Sequence, residues 1–503
     1  MMKEHTFSCV NAIYRKATDK RHAGNPYIEA LPPLPSDSQL LRALGVTPDF
    51  DPAERFLENQ VRFERLNCLE QLLVPLPRLV QLASAIFKLL IAGYINRRPF
   101  TIADNRVMQD LYAEQMSGKF LASGRAELAA QFTMALIAAS GMGKSFSLRH
   151  IASLLPPAIW HEAIGKWQLP FLFIEMPFDG VGAHSLASEM FEEFDRLLPD
   201  GNYHECFMVK TKTNAIERLR LALSIARDHG VGMIVVDEAQ GTPPKPTESP
   251  DAAEPLPGSR TKRANRNIQG VQSETTLLKQ LIRGSNVSHI PLLLSATPEL
   301  KRRIGRFSLA RRSAGRGSAQ WGPLVPSERR ALLAGLFRLQ FVRKPVDLDD
   351  QWSAFFGEVT QDLPDIIVKL FAESQIYAIR SGAETLSQEL VRTVLARSFI
   401  TTEYGIQAIR SRDRTLLSVV TDLDLTDPLP PASGLQIPAV NASSARAPGA
   451  KGKRGSAPQS RLVPAPRPAQ VAPGVPGEAP LGGPPPSTKN PLSSIPNCAV
   501  TQS

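Results

Sequence analysis

Three features of this chain predict an α/β fold with a central parallel sheet. Apolar runs of strand length carry no polar alternation, helical-period segments separate them, and small or acidic residues stand where the runs end. The runs cover residues 133–139, 170–176 ("PFLFIEM"), 233–236 ("MIVV") and 291–295 ("PLLLS"). A strand covered by helices on both faces is apolar on both sides, whereas one facing water alternates. Between the runs, apolar residues recur at helical spacing over 144–155, 185–198, 213–227 and 275–282.

The other elements are simpler. Residues 55–98 read as helical, residues 1–54 as mostly irregular, and 345–400 as helices only, the pattern of a small lid. Residues 241–270 hold six prolines and a basic patch between two strand patterns, which makes them an exposed insertion within a domain. After Asp427 the sequence turns to runs such as "LVPAPRPAQVAPGVPGEAPLGGPPPS", too poor in branched apolar residues to repay the entropy of ordering. The expected organisation is an N-terminal region making partner contacts (1–125), an α/β core (126–330), a helical lid (331–425) and a disordered basic tail (426–503).

Charge bounds the partners weakly. The chain of 503 residues carries a net charge of +10, but residues 428–503 hold seven Lys or Arg against Glu478 alone, so the remainder is only mildly basic. A nucleic-acid surface has to be argued from local clusters. Cys9, Cys68, Cys206 and Cys498 are far apart with no CxxC spacing, which offers neither a zinc site nor a disulfide framework and fits a reducing cytoplasm. The most apolar stretch, "LVQLASAIFKLLIAGYI" from Leu79, is broken by Lys88 and flanked by Arg78 and Arg97; it is expected to be too short and too charged for a bilayer. The first ten residues lack the apolar core of a signal peptide.

The chemistry gathers where the runs end. "MALIAASGMGKSF" closes like the phosphate loop GxxxxGK[ST], in which glycines let backbone N–H groups wrap phosphates, lysine reaches the β/γ-phosphates and a hydroxyl meets Mg²⁺. Gly143, Lys144 and Ser145 fill the last three places, and Ala138 stands where the first glycine belongs. A methyl group is the smallest intrusion at that exit, so the loop Ala138, Ala139, Ser140, Gly141, Met142, Gly143, Lys144, Ser145, Phe146 is the candidate ATP-binding segment. Read without its context, the same run is a tight strand-to-helix turn.

In "GMIVVDEAQ" four apolar residues precede Asp237 and Glu238. At a strand's carboxyl end the first can hold Mg²⁺, together with Ser145, and the second can act as general base toward water. Adjacent acids also occur in solvated turns; with the loop, in this order on a parallel sheet, they point to ATP and Mg²⁺ and to hydrolysis. Thr297, closing "PLLLSATPEL", would lie beside the γ-phosphate if its strand sits between the other two; otherwise it is a turn residue before Pro298. In the basic run from Lys301, Arg311 and Arg312 are candidates for an arginine finger toward a neighbouring subunit, and the remaining cations read as surface.

These residues, in this order, resemble an AAA+ P-loop ATPase. "NPYIEALPPLP", "VVDEAQ", "IPLLLSATPEL", "LARRSAGRGSAQW" and "LPDIIVKLFAESQIYAI" look more specifically like the ATP-dependent target-selection regulator of Tn-seven-type transposons, the TnsC family, with TniB a more distant relative; the resemblance spans about residues 24–410. It implies a central parallel sheet, a small C-terminal helical lid, an irregular to helical N-terminal region and a disordered tail. It also implies a bacterial homo-oligomer, ring or filament, that assembles on duplex DNA with ATP, links a TniQ/TnsD-type target-selection protein to transposase subunits and comes apart on hydrolysis. Lys210 and Lys212 in "MVKTKTN" are the candidate DNA contacts, and a solvated helix start is their bland alternative. The chain departs from the family pattern at Ala138, at Ala296 where glycine is common, and in its long insertion. Two alternatives share the nucleotide chemistry: an IstB/DnaC-like helicase loader or transposition helper, and a scaffold that holds ATP without hydrolysing it.

Overall fold

The computed structural model describes residues 9–17, 19–117, 132–177, 182–199, 201–209, 214–241, 277–278, 280–300 and 317–411. Its first elements are strand β1 (Cys9–Asn11) and helices α1 (Pro26–Glu29), α2 (Asp37–Ala43), α3 (Asn59–Leu66), α4 (Pro77–Ile95) and α5 (Ile102–Ser117). Local chemistry starts the first two helices. Asn25 caps α1 through the N–H of Tyr27 with Pro26 in the first turn, where its missing N–H costs nothing. Ser36 and Gln39 form a reciprocal capping box on α2.

Strand β2 (Thr133–Ala138) runs into helix α6 (Lys144–Ala152), and β3 (Ala158–His161), β4 (Lys166–Gln168) and β5 (Phe171–Glu175) follow. Pro156 and Pro157 explain why α6 ends short of the expected residue 155, because a residue before proline avoids helical geometry. Helices α7 (Ala183–Leu197) and α8 (Ala215–Asp228) lead to β6 (Met233–Asp237), and a helical segment at 280–288 leads to β7 (Leu292–Ala296) and β8 (Ala319–Trp321).

The main sheet has the order β5-β6-β7-β2-β8, and every pair in it is parallel. β7 therefore stands between the strand feeding the glycine loop and the strand ending in Asp237. Apart from Ile137 and Phe173, the apolar residues of β2, β5, β6 and β7 are buried, so both faces are covered.

The three-stranded sheet β1-β3-β4 was not expected. Its strands are three or four residues long, mix Trp with His, Lys and Gln, and offer no periodicity to read. A polar chain ties it to the N-terminal region. Tyr14 Oη pairs with His161 Nδ1 at 2.9 Å, His161 Nε2 with Gln168 Oε1 at 2.9 Å, and Gln168 Nε2 donates to Tyr27 O at 2.9 Å.

Helix α4 is 19 residues long and apolar enough to cross a membrane by length and composition, so the expectation that length excludes it is corrected. Its contacts are those of a core helix: Leu79, Ile86, Leu90 and Tyr94 are buried, and Lys88 is exposed. Gly93 permits the closest approach, since a Cβ there would lie 2.4 Å from Cδ of Pro291 at the entry to β7.

The remaining helices are α9 (Pro326–Arg338), α10 (Asp350–Thr360), α11 (Pro364–Arg380), α12 (Gln388–Ser398) and α13 (Ile400–Ser411). A core-to-lid border drawn at residue 330 cuts through α9. Phe337, Trp352, Phe356 and Phe371 pack edge to face or tilted, with centroids 5.1–6.3 Å apart, to form the apolar centre of this bundle. The tail 426–503, and the insertion beyond Gly241, lie outside the described residues.

Candidate functional site

The loop after β2 turns on two glycines in the left-handed region, Gly141 at φ 76° and Gly143 at φ 77°. Those angles are strained for residues with a Cβ, which is why glycine holds both places. Gly143 caps α6, so Lys144 begins that helix, and Ser147 N donates to Gly143 O at 2.9 Å. The first turn of a helix is a place where backbone N–H groups favour anions, and this one begins at the loop. Lys144 is 6% exposed, and its Nζ donates to Ala138 O at 3.0 Å and Ala139 O at 3.1 Å. The ammonium is thus held by neutral carbonyls at the base of the loop, weaker acceptors than phosphate oxygens.

A cavity of about 520 Å³ opens beside the loop, lined by residues 140–147 and by Glu238. Its size suits a nucleotide-sized ligand. Lys144, Ser145 and Glu238 thus share one cavity. Asp237 ends β6 beside them, with Oδ1 accepting the N–H of Glu238 at 3.0 Å. Glu238 itself has φ 48°, an uncommon angle for a residue with a side chain. Thr297 follows β7 immediately. It is buried, and among the described residues its Oγ1 meets no hydrogen-bond partner. The two left-handed glycines and the Lys144–Glu238 cavity fit a bound polyphosphate, while Thr297 and Asp237 are not among the residues that line that cavity. The serine hydroxyl of Ser145 and the carboxylate of Asp237 are oxygen donors of the kind Mg²⁺ takes; among the described residues no cluster of three or more His, Cys, Asp or Glu offers an all-protein cage.

Two other walls had no local signal. Leu72, Leu73, Val74, Leu76 and Leu79 close one side, and Trp321, Leu324 and Leu332 another. The lid supplies Pro364, Asp365, Val368 and Lys369 from the start of α11. Asp365 N donates to Gly141 O at 3.2 Å, so the first turn of the lid helix rests on the phosphate loop. Only "LPDIIVKLF", read as a lid motif, hinted at this wall. Gln240 has no signal of its own in the sequence, yet its Nε2 donates to Glu238 Oε2, and its Oε1 accepts Thr297 N at 3.0 Å. Arg311, Arg312, Lys210 and Lys212 lie outside the described residues.

Residues 130–304 match a family model described as an AAA domain. The fold is that of an AAA+ P-loop ATPase, with its five-stranded parallel sheet and flanking helices. No curated protein matches the chain. Among solved structures it is similar to the Aeropyrum pernix ORC2 protein in its ADPNP–ADP complexes (12% identity, covering 59% of this chain and 68% of that one, TM-score 0.32). A Walker-type ATPase of Pyrococcus abyssi is 14% identical over 64% of this chain and 79% of its own, with a TM-score of 0.31. The Thermotoga maritima RuvB Holliday junction branch migration motor is 12% identical over 63% and 80%, with a TM-score of 0.25.

Proposed function

We propose that this chain hydrolyses ATP and uses the ATP-bound state to assemble on duplex DNA as a regulator of transposition. The observation that carries the hydrolytic reading is the single cavity walled by Lys144, Ser145 and Glu238, with the lid helix resting on the loop through Asp365 and Gly141. Lys144 exchanges the carbonyls of Ala138 and Ala139 for the β/γ-phosphate oxygens, a charge-assisted contact. Glu238 accepts a proton from the water whose oxygen bonds to the γ-phosphorus as the bond to the ADP oxygen breaks. Ser145 and Asp237 would hold Mg²⁺, which when bound neutralises phosphate charge. Thr297 offers its hydroxyl at the γ-phosphate end, and Arg311 or Arg312 of one subunit reaches the nucleotide of the next. Subunits then adhere while the γ-phosphate is present and loosen once it is gone.

The transposition part rests on the resemblance of the N-terminal, strand-end and lid segments to the TnsC family. Such a regulator joins a target-selection protein of TniQ/TnsD type to the transposase in a bacterial cytoplasm. Its DNA contacts, with Lys210 and Lys212 as candidates, go to phosphates, so binding is sensitive to salt and indifferent to sequence. The test is electron microscopy of the protein with duplex DNA, with ADP and with a non-hydrolysable ATP analogue, alongside ATP turnover. Rings or filaments are expected with the analogue alone. Coating of DNA without nucleotide, or in Lys144→Ala, refutes the switch, and turnover unchanged by Glu238→Gln favours the non-hydrolysing scaffold.

A further inference from the structure

Gln240 is the residue of "VVDEAQ" to which hydrolysis gives no task, yet it is 8% exposed and fixed at both ends of its amide. Its Nε2 donates to Glu238 Oε2, and its Oε1 accepts the backbone N–H of Thr297 at 3.0 Å. The amide has one permitted orientation. Flipped, it would set oxygen against a carboxylate oxygen and NH₂ against N–H, losing both bonds. Two further bonds sew the same turn to its neighbours: Ala239 N donates to Ser295 O at 2.9 Å, and Met176 N to Asp237 O at 2.9 Å. Glu238 meanwhile sits at φ 48°, a conformation that persists where the surroundings over-determine it.

We infer that Gln240 is a positioning residue that couples the end of β7 to the carboxylate of Glu238. It rests on the ATPase reading above. Thr297 occupies the β7 end beside the phosphate loop strand, so a shift of that end on loading the site moves Gln240 and, through it, Glu238. With Oε2 held by the amide, Oε1 is the oxygen left to meet water. The residue touches no reacting atom. Its effect belongs to kcat and passes entirely through Glu238.

The experiment uses the full chain and compares wild type, Gln240→Ala, Gln240→Glu, Glu238→Gln and the double variant Glu238→Gln/Gln240→Ala. The measurements are affinity for a fluorescent ATP analogue, steady-state turnover and single-turnover hydrolysis at pH 8. Gln240→Glu is isosteric and keeps the acceptor for Thr297 N–H, but it turns a carboxylate toward Glu238 in place of a donor. Both single Gln240 variants are expected to lose about 10- to 100-fold in kcat, with analogue affinity within about threefold of wild type. Gln240→Ala is expected to cost less than about twofold when added to Glu238→Gln, because the two act as a unit. Wild-type turnover in Gln240→Glu combined with a loss in Gln240→Ala would reduce the residue to a strand tether and overturn the inference. So would turnover unchanged in both, loss of analogue binding, or a full multiplicative loss in the double variant. A wild-type protein that binds the analogue and never hydrolyses ATP removes the ATPase reading itself, and the inference with it.

Discussion

Arg62 joins the N-terminal region to the lid, and replacing it tests how much that joint supports the cavity. Its side chain is fully buried on α3. Nη1 and Nη2 donate to the two oxygens of Glu384 at 2.8 Å each, Nη1 also to Phe341 O at 3.1 Å, and Nη2 to Asn59 Oδ1 at 2.6 Å. The hydrogen bonds from Arg62 hold the Glu384 carboxyl below its usual range, against a smaller opposing effect of burial. Arg62→Met fills the same space but strands a carboxylate that is only 13% exposed, and leaves Phe341 O without this donor. Breaking one side of a buried pair costs about 3–5 kcal/mol. Arg343 remains near Glu384, with Nε at 3.7 Å and its N–H at 3.2 Å, so the lower end, about 3 kcal/mol, is expected. Urea unfolding followed by tryptophan fluorescence measures it, because Trp352 lies in the lid. In Arg62→Met/Glu384→Gln, about 2 kcal/mol of the loss should be recovered, since no charge is left stranded. The depressed carboxyl also fixes the sign with pH: the pair's stabilisation is complete above the unfolded value of 4.5 and fades as pH falls through the lower folded value. A loss under about 1 kcal/mol, or strict additivity in the double variant, would refute this account.

Lys144→Ala should abolish the stabilisation that an ATP analogue gives in thermal unfolding, with affinity down at least about 100-fold, roughly 3 kcal/mol, as a charge-assisted phosphate contact is lost. Glu238→Gln should keep that affinity and lower turnover about 100- to 10,000-fold, read by phosphate release. Gly93→Ala drives a methyl group to 2.4 Å from Pro291 Cδ, and a urea midpoint shift worth about 1–3 kcal/mol is expected from this overpacking. Burial lowers the His229 pKa to about 4, with Tyr203 Oη 2.5 Å from its Nε2. The unfolded chain therefore binds a proton that the folded chain refuses, so stability is full above about 6.5 and falls toward pH 4. Urea unfolding at pH 7 and pH 5 should differ by up to about 2 kcal/mol from this group, and His229→Gln should flatten that difference.

Much of the sheet was legible because its strands are buried on both faces and their sequences are continuously apolar. β2, β5, β6 and β7 lie within a residue or so of the expected runs. The strands that stayed hidden are the short ones, β1, β3, β4 and β8, whose pairing comes from neighbours and not from any pattern of their own. Helix α5 also escaped notice, having little apolar periodicity between Ile102 and Ser117.

The sequence by itself determined the local chemistry: glycines where the backbone must turn left-handed, a lysine and a serine opening a helix, and two acids at the end of an apolar run. Each depends on residues close along the chain, where spacing alone fixes geometry. Only the tertiary structure decided that residues 72–79 and 364–369 wall the same cavity, that Asp365 rests on Gly141, and that the amide of Gln240 bridges Glu238 to Thr297. Those contacts join segments tens to hundreds of residues apart. They arise from the order of strands in the sheet and from the docking of the lid, both set by the burial of apolar surface between distant elements, which no short stretch of sequence encodes.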